Sequence, residues 1–392
     1  MILTNCRLVP ALCEGFQEES ADLRIEGDCI AEILPAGGSY TGEEVIDCSK
    51  KTVLPGLHNL HIHLWFFTFN NEQLTYADNE YDMTMHSFHY MNTLLAYGYT
   101  SLREVGGPYN VAIKMKNNIN AGMMTGPRIK ASGYILTPHQ FCPANLHCHS
   151  DKYGLAVNSP MQAREIARRQ LVEGADFIKI LGSSVTGLDR DDSCLFYPDE
   201  LDALEEVARR EKTYISVHTN TKESILTAVE RENFSIEHGN MMDQECIDAF
   251  VKHGFKSNLV TTAHVSWLFG GDDLVKLSNG MHKDAAEAGV LIGWGTDAME
   301  DIFLAEPGAE FRLREKVIGF DKIDVLKQAT INSAVINGDG DLVGTIKVGK
   351  KADLAIFDGK PDEDFDIFNR PCAYVIKDGV LVADHGMIRS VV

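Results

Sequence analysis

Short apolar runs with a two-residue rhythm crowd both ends of this 392-residue chain, while strand-like and helix-like patterns alternate through its middle. The first fifty residues hold MILTNCRLV, ADLRIEG, CIAEILP and EVIDCS, each bounded by Gly, Pro, Ser or Asp, a pattern that predicts strands joined by turns. The last fifty hold GTIKVGKKADLAIFDG and AYVIKDGVLVADHG, with Lys377-Asp378-Gly379 marking a tight hairpin. Neither end supplies enough strands to bury a face alone, so both are expected to meet in one small β-sandwich.

Between them the apolar runs are TVLPGLHNLHIHL, YTSLRE, RIKAS, DFIKIL, TYISVH, FSIEH, FKSNLV and VLIGWGTD, eight in all. A helix is expected from Pro198, with Leu201, Leu204 and Ala208 on one face and acidic residues in its first turns. Parallel strands need a crossover helix each time, so eight alternations predict an α/β fold, a (β/α)8 TIM barrel over residues 58–341. Residues 1–57 and 342–392 are then the β-sandwich domain. A doubly wound open sheet is the rival architecture.

Composition narrows the partners. Lys and Arg total 36 against 57 Asp and Glu, a net charge of −21. That balance argues against nucleic acid and against an anionic membrane surface, and favours a small-molecule substrate. Nine cysteines without a CxxC pair read as reduced thiols. The opening MILTNCRLVPALCEGF has no charged n-region, long apolar run or small-residue cleavage site, and nowhere do about 18 apolar residues follow one another. A cytoplasmic protein is expected, with exposed helices that leave room for a homo-oligomer.

In a barrel of this kind the chemistry lies at the carboxyl ends of the strands. Strand one ends in His61-Ile62-His63, whose period-two spacing puts both imidazoles on one side, an arrangement suited to a divalent metal. Strand four carries Lys179 between apolar residues, and a buried ammonium is costly unless something changes its charge. Strand five ends at His218, strand six at His238 and strand eight at Asp297. Singly, each has a plainer reading: a hydrogen-bonded histidine, a lysine paired across the barrel, an aspartate in a turn or N-cap. Their joint order points to one site.

The stretches VLPGLHNLHIHL, YTSLREVGG, ADFIKI, IEHGN, GTDA and GTIKVGKKADLAIFD resemble the signatures of the amidohydrolase superfamily of metal-dependent hydrolases, over nearly the whole chain. The GADFIKI version is most similar to the binuclear, carboxylated-lysine branch related to Xaa-Pro dipeptidases (prolidases) and N-acyl amino acid hydrolases. The chain departs from the family at Asn59, usually Asp, and at Asn233, often Gly.

The resemblance implies two divalent ions, zinc foremost, with manganese or cobalt able to use the same ligands. His61, His63 and Asp297 would hold the more buried ion and His218 and His238 the more exposed one. Lys179, carboxylated to N6-carboxylysine, would be shared between them. Burial near cations lowers a lysine pKa, and the neutral amine can take up carbon dioxide as an anionic carbamate. A hydroxide between the ions would be the nucleophile, with Asp297 as base and then acid. The implied reaction is hydrolysis of an amide bond in a dipeptide or N-acyl amino acid, Xaa-Pro included.

The alternative is a mononuclear deaminase or cyclic-amide hydrolase, imidazolonepropionase-like, with Lys179 unmodified. Deaminase-type relatives depend on a proton-shuttling glutamate near strand five, where only Glu223 stands, expected inside the next helix. A non-enzymatic scaffold is disfavoured because all six ligand positions are filled. His58 reads as structural. The segment TPHQFCPANLHCHS has poor spacing for a tetrahedral zinc site. It lies where relatives carry a Gly-Gly-His stretch that borders the substrate, so the resemblance implies His147 and His139 as substrate contacts, with His264 past strand seven as a third.

Overall fold

The computed structural model describes residues 1–65, 69–70, 73–74, 80–138, 154–184 and 194–389. Strands from both ends of the chain join in one nine-stranded mixed sheet. Ile2–Leu8 runs antiparallel to Ser20–Glu26 and parallel to Lys51–Pro55, and Leu354–Asp358 from the other end pairs antiparallel with Lys51–Pro55. The two ends therefore meet as expected, and their hydrogen bonding is continuous through one sheet. Leu3, Leu23, Val53, Leu354 and Ile376 form its shared core. Each such side chain contributes about 1.5–3 kcal/mol when fully buried. The expected hairpin joins Tyr374–Lys377 to Val380–Asp384. Asp378 and Gly379 take φ of 47° and 75°, the left-handed values that match strand twist in a two-residue turn.

Ten parallel strands are described in the middle, eight of them the expected runs: β1 (Leu57–Ile62), β2 (Tyr99–Glu104), β3 (Arg128–Ala131), β4 (Ile178–Leu181), β5 (Ile215–Thr219), β6 (Phe234–His238), β7 (Asn258–Thr261) and β8 (Ile292–Trp294). β1 to β3 make one sheet and β4 to β8 belong to another. The seam lies after β3. There the chain turns at Gly133 and resumes as Ile135–Thr137, pairing with β4, a second piece that the pattern RIKAS does not announce. Gly133 has φ 74°, and a Cβ there would stand 2.2 Å from Gln170 Oε1, the oxygen that accepts from Tyr134 N at 2.8 Å. Beyond β8, the Thr296 and Asp297 amides donate to His61 O at 3.3 and 2.9 Å, tying the last strand to the first.

The helix expected at Pro198 spans Pro198–Glu211 and buries Leu201, Leu204 and Ala208. Acidic residues in its first turn and Arg209 and Arg210 in its last complement the helix dipole. Among the described residues no helix is long and apolar enough to cross a membrane. The seven described cysteines are free thiols, and Cys142 and Cys148 lie outside the described residues.

Candidate functional site

The six residues singled out at the strand ends come together. His61 and His63 ring centroids are 5.6 Å apart, His61 and His238 4.4 Å, and His218 and His238 4.4 Å. Asp297 Oδ1 lies 3.7 Å from Nε2 of both His61 and His63, and these three residues offer ligand atoms all within 4.8 Å of one another. Lys179 is buried in β4, and its field reaches all four imidazoles.

Backbone geometry does part of the aiming. His238 and Asp297 have φ of 66° and 50°, a left-handed conformation rare for residues with a Cβ. Such residues cost about 1–3 kcal/mol each and persist where the surroundings over-determine them. Here the surroundings are strand ends locked by hydrogen bonds. Asn59 Oδ1 accepts from the amides of His61 (3.3 Å) and Thr296 (3.2 Å), and its Nδ2 donates to Thr296 Oγ1 at 2.8 Å. Asn59 thus clamps β1 to the segment that carries Asp297. The other departure from the family, Asn233, has φ 61°, a conformation that glycine adopts freely and asparagine tolerates.

Each imidazole is held from behind. His61 Nδ1 donates to Glu237 Oε2 at 2.8 Å and His63 Nδ1 to Gly106 O at 2.7 Å. His238 Nδ1 shares a hydrogen bond with Thr262 Oγ1 at 2.7 Å. His218 uses Nε2, 3.3 Å from Ser184 O and 2.9 Å from the Asn220 amide, so Nδ1 is its remaining nitrogen. Two inward atoms, Lys179 Nζ and His238 Nε2, are buried without a hydrogen-bond partner among the described residues.

Burial dominates the electrostatics. It holds His63 at about 4 and His218 at about 3, and His61 and His238 well below the ordinary range, so all four rings are neutral and carry a lone pair at pH 7. Burial lowers Lys179 to about 8 and raises Asp297 to about 7. Neutral imidazoles, a carboxylate and a lysine with no hydrogen-bond partner among the described residues make a poor structural core and a good donor set for a divalent cation.

Of the remaining candidates, His264 stands apart. His264 is buried, its backbone amide donates to Glu310 Oε2 at 2.7 Å, and its ring lies 6.4 Å from Trp267, outside the imidazole cluster. His139 and His147 lie outside the described residues. His58 is fully buried in β1. Sequence reasoning passed over Arg103 and Glu237, buried together under the rings at 2.6 Å. Their only sequence signal is a charged residue inside a strand pattern, REVGG and IEHGN.

Comparison with known proteins agrees with this geometry. Residues 52–382 match the Amidohydrolase family. The chain is 26% identical to an ochratoxinase from Aspergillus niger over 394 aligned positions, covering 86% of this chain and 76% of that protein. It superposes on a Xaa-Pro dipeptidase crystallised with methionine in its active site with TM-score 0.86 and 25% identity, covering 97% and 98% of the two chains. A prolidase complexed with N-methylphosphonate-L-proline gives TM-score 0.82 at 25% identity, covering 98% and 99%. With its strand-end donors in place and the family match extending over most of its length, the chain belongs to the amidohydrolase family of hydrolytic enzymes.

Proposed function

We propose that this enzyme hydrolyses an amide bond in a dipeptide or N-acyl amino acid, Xaa-Pro substrates included, with two divalent ions, zinc foremost, and a carboxylated Lys179. The observation that carries the reading is Lys179 Nζ, buried among neutral imidazoles and Asp297 with no hydrogen-bond partner among the described residues. A bare ammonium is out of place there. A neutral amine that bonds to carbon dioxide and releases a proton becomes a carbamate, an anion suited to lie between cations. His61, His63 and Asp297 would hold one ion and His218 and His238 the other. When bound, such ions lower the pKa of water to about 7 and polarise a carbonyl. Asp297, beside both histidines, is placed to take the proton from the attacking water and return it to the leaving nitrogen.

The fold reading belongs here too. The hydrogen bonds from Thr296 and Asp297 to His61 O, and the chain turn at Gly133, support closure of the two parallel sheets into one (β/α)8 barrel over residues 58–341. Residues 1–57 and 342–392 form the second domain, of β-sandwich type. The net charge of −21 supports a small-molecule substrate over polyanions, in a cytoplasmic enzyme free to self-associate. The dipeptidase, prolidase and ochratoxinase relatives support amide chemistry. Against the mononuclear deaminase reading, Glu223 is exposed in the first turn of Lys222–Val229.

The test is metal analysis of enzyme prepared with zinc and bicarbonate, beside a panel of dipeptides and N-acyl amino acids. Two ions per chain, a carbamate carbon signal after 13C-bicarbonate labelling and turnover of panel members are expected. One ion per chain, unchanged in Lys179→Ala, overturns the reading.

A further inference from the structure

The four imidazoles are not supported alike. His63 and His218 lean on carbonyl oxygens and His238 on a hydroxyl, whereas His61 alone of the four leans on a carboxylate. That carboxylate, Glu237, has no exposure, and its second oxygen is fully engaged. Oε1 accepts from Arg103 Nη2 at 2.6 Å and Ser216 Oγ at 2.8 Å, while Ser235 Oγ, 3.1 Å away, has a shorter partner in Asn258 Oδ1 at 2.8 Å. Arg103 is fixed in turn. Its Nε donates to Leu60 O, the carbonyl just before His61, at 2.7 Å, and its Nη1 donates to Ser235 Oγ at 3.0 Å. The guanidinium lies 5.7 and 5.8 Å from the centroids of Phe177 and Tyr214, which stack on each other at 5.0 Å. One cation thus grips His61 through its backbone and through the anion behind its ring.

We propose that Glu237, held by Arg103, is a positioning residue that fixes the tautomer of His61 and so decides whether that ring can accept a metal. An ionised carboxylate can only accept, so the proton of the neutral ring must sit on Nδ1. Nε2 is then a lone pair, on the side where Asp297 and His63 stand. With Arg103 and Ser216 both donating to Oε1, the orientation of the carboxylate is fixed. A carboxylate behind an imidazole also makes the ring a stronger donor, so His61 would hold an ion more tightly than the same ring without Glu237. This inference rests on the binuclear reading above for the second ion, but not for the tautomer.

Glu237→Gln separates position from charge. The glutamine has one acceptor oxygen, and Arg103 with Ser216 claims it. Its NH2 group then faces His61 Nδ1, which must become the lone pair, and the proton moves to Nε2, where it blocks a cation. The shape of the side chain is nearly unchanged.

The experiment is nitrogen NMR of metal-free protein labelled at histidine, wild type and Glu237→Gln, followed by competition of each with a chelator for zinc. His61 is expected with its proton on Nδ1 in the wild type and on Nε2 in the variant, with affinity for one ion falling by about 10- to 100-fold. The Ser216→Ala variant, which keeps the carboxylate, retains the wild-type tautomer. A wild-type His61 protonated on Nε2 overturns the proposal even if Glu237→Gln fails to fold, and so does an unchanged tautomer in a folded variant. A tautomer switch in a protein that binds no zinc leaves the positioning role standing and removes the metal reading.

Discussion

The framework beneath and beside the rings handles buried charge in one way and the mouth in another. In the framework, Arg103 meets Glu237 at 2.6 Å and Arg314 meets Glu310 at 2.7 Å, with all four side chains at most 1% exposed. Arg314 also donates to Gly293 O, Gln328 Oε1 and Thr261 O. At the mouth, Lys179 Nζ and His238 Nε2 are as deeply buried and have no partner among the described residues. Native interiors satisfy nearly all buried polar groups, so an unsatisfied cluster marks a place completed by something other than side chains. The ion pairs of the first layer are completed by the protein's own groups. The proposed ions would complete the second.

Substitutions can break or sharpen this contrast. The largest effect belongs to Lys179: in metal-replete enzyme, Lys179→Ala is expected to lower kcat/KM about a thousandfold, about 4 kcal/mol of transition-state stabilisation. In metal-free protein, Lys179→Met should leave the urea midpoint unchanged or higher, because it removes an uncompensated amine. A midpoint drop as large as that of a framework variant erases the distinction. Arg314→Met leaves Glu310 buried and unpaired, and should cost about 3–5 kcal/mol in urea unfolding while the folded fraction keeps its activity.

Acid acts on the buried histidines together, with an effect of similar size. Burial holds His63 at about 4 and His218 at about 3, against about 6.5 in an unfolded chain. Between those values the unfolded chain binds protons that the folded one refuses, so their stabilisation is complete above about pH 6.5 and lost on acidification, at about 1.4 kcal/mol per pH unit and group. Asp297 and Glu104, raised by burial to about 7 and about 8, act in the opposite sense, against the four imidazoles and the three other buried histidines that burial lowers, His58, His264 and His282. The urea midpoint of the metal-free enzyme should fall from pH 7 to pH 5. A flat profile would show that the mouth opens to water before it titrates. Smallest is Asn233→Gly, away from both layers, which should change stability by less than about 1 kcal/mol because φ 61° suits either residue.

What the sequence disclosed follows the same division. The mouth was legible because its residues break a pattern: HIH after an apolar run, a lysine inside FIKIL, IEH and GTD at strand ends. Period-two spacing correctly grouped His61 with His63. It could not anticipate the left-handed backbone that turns His238 and Asp297 inward, since that depends on what the strand ends are bonded to. The framework was hidden. Glu237 sits 134 residues from Arg103, and nothing local in REVGG or IEHGN says that the two meet. The second piece of the third strand was missed because a three-residue run, Ile135–Thr137, is too short to show a period. His139 and His147, expected as substrate contacts, fall in the segment outside the described residues.

Lys51–Pro55, the strand to which both ends of the chain are stitched, leads into β1 through Gly56 alone. There is no slack at that joint, for a Cβ at Gly56 would stand 2.0 Å from Thr100 Oγ1. The outer sheet and the first two imidazoles are therefore in series, like a handle and a blade. Trimming the final strands, or hanging a bulky fusion on them, should be felt at His61 before it is felt at helices closer in sequence.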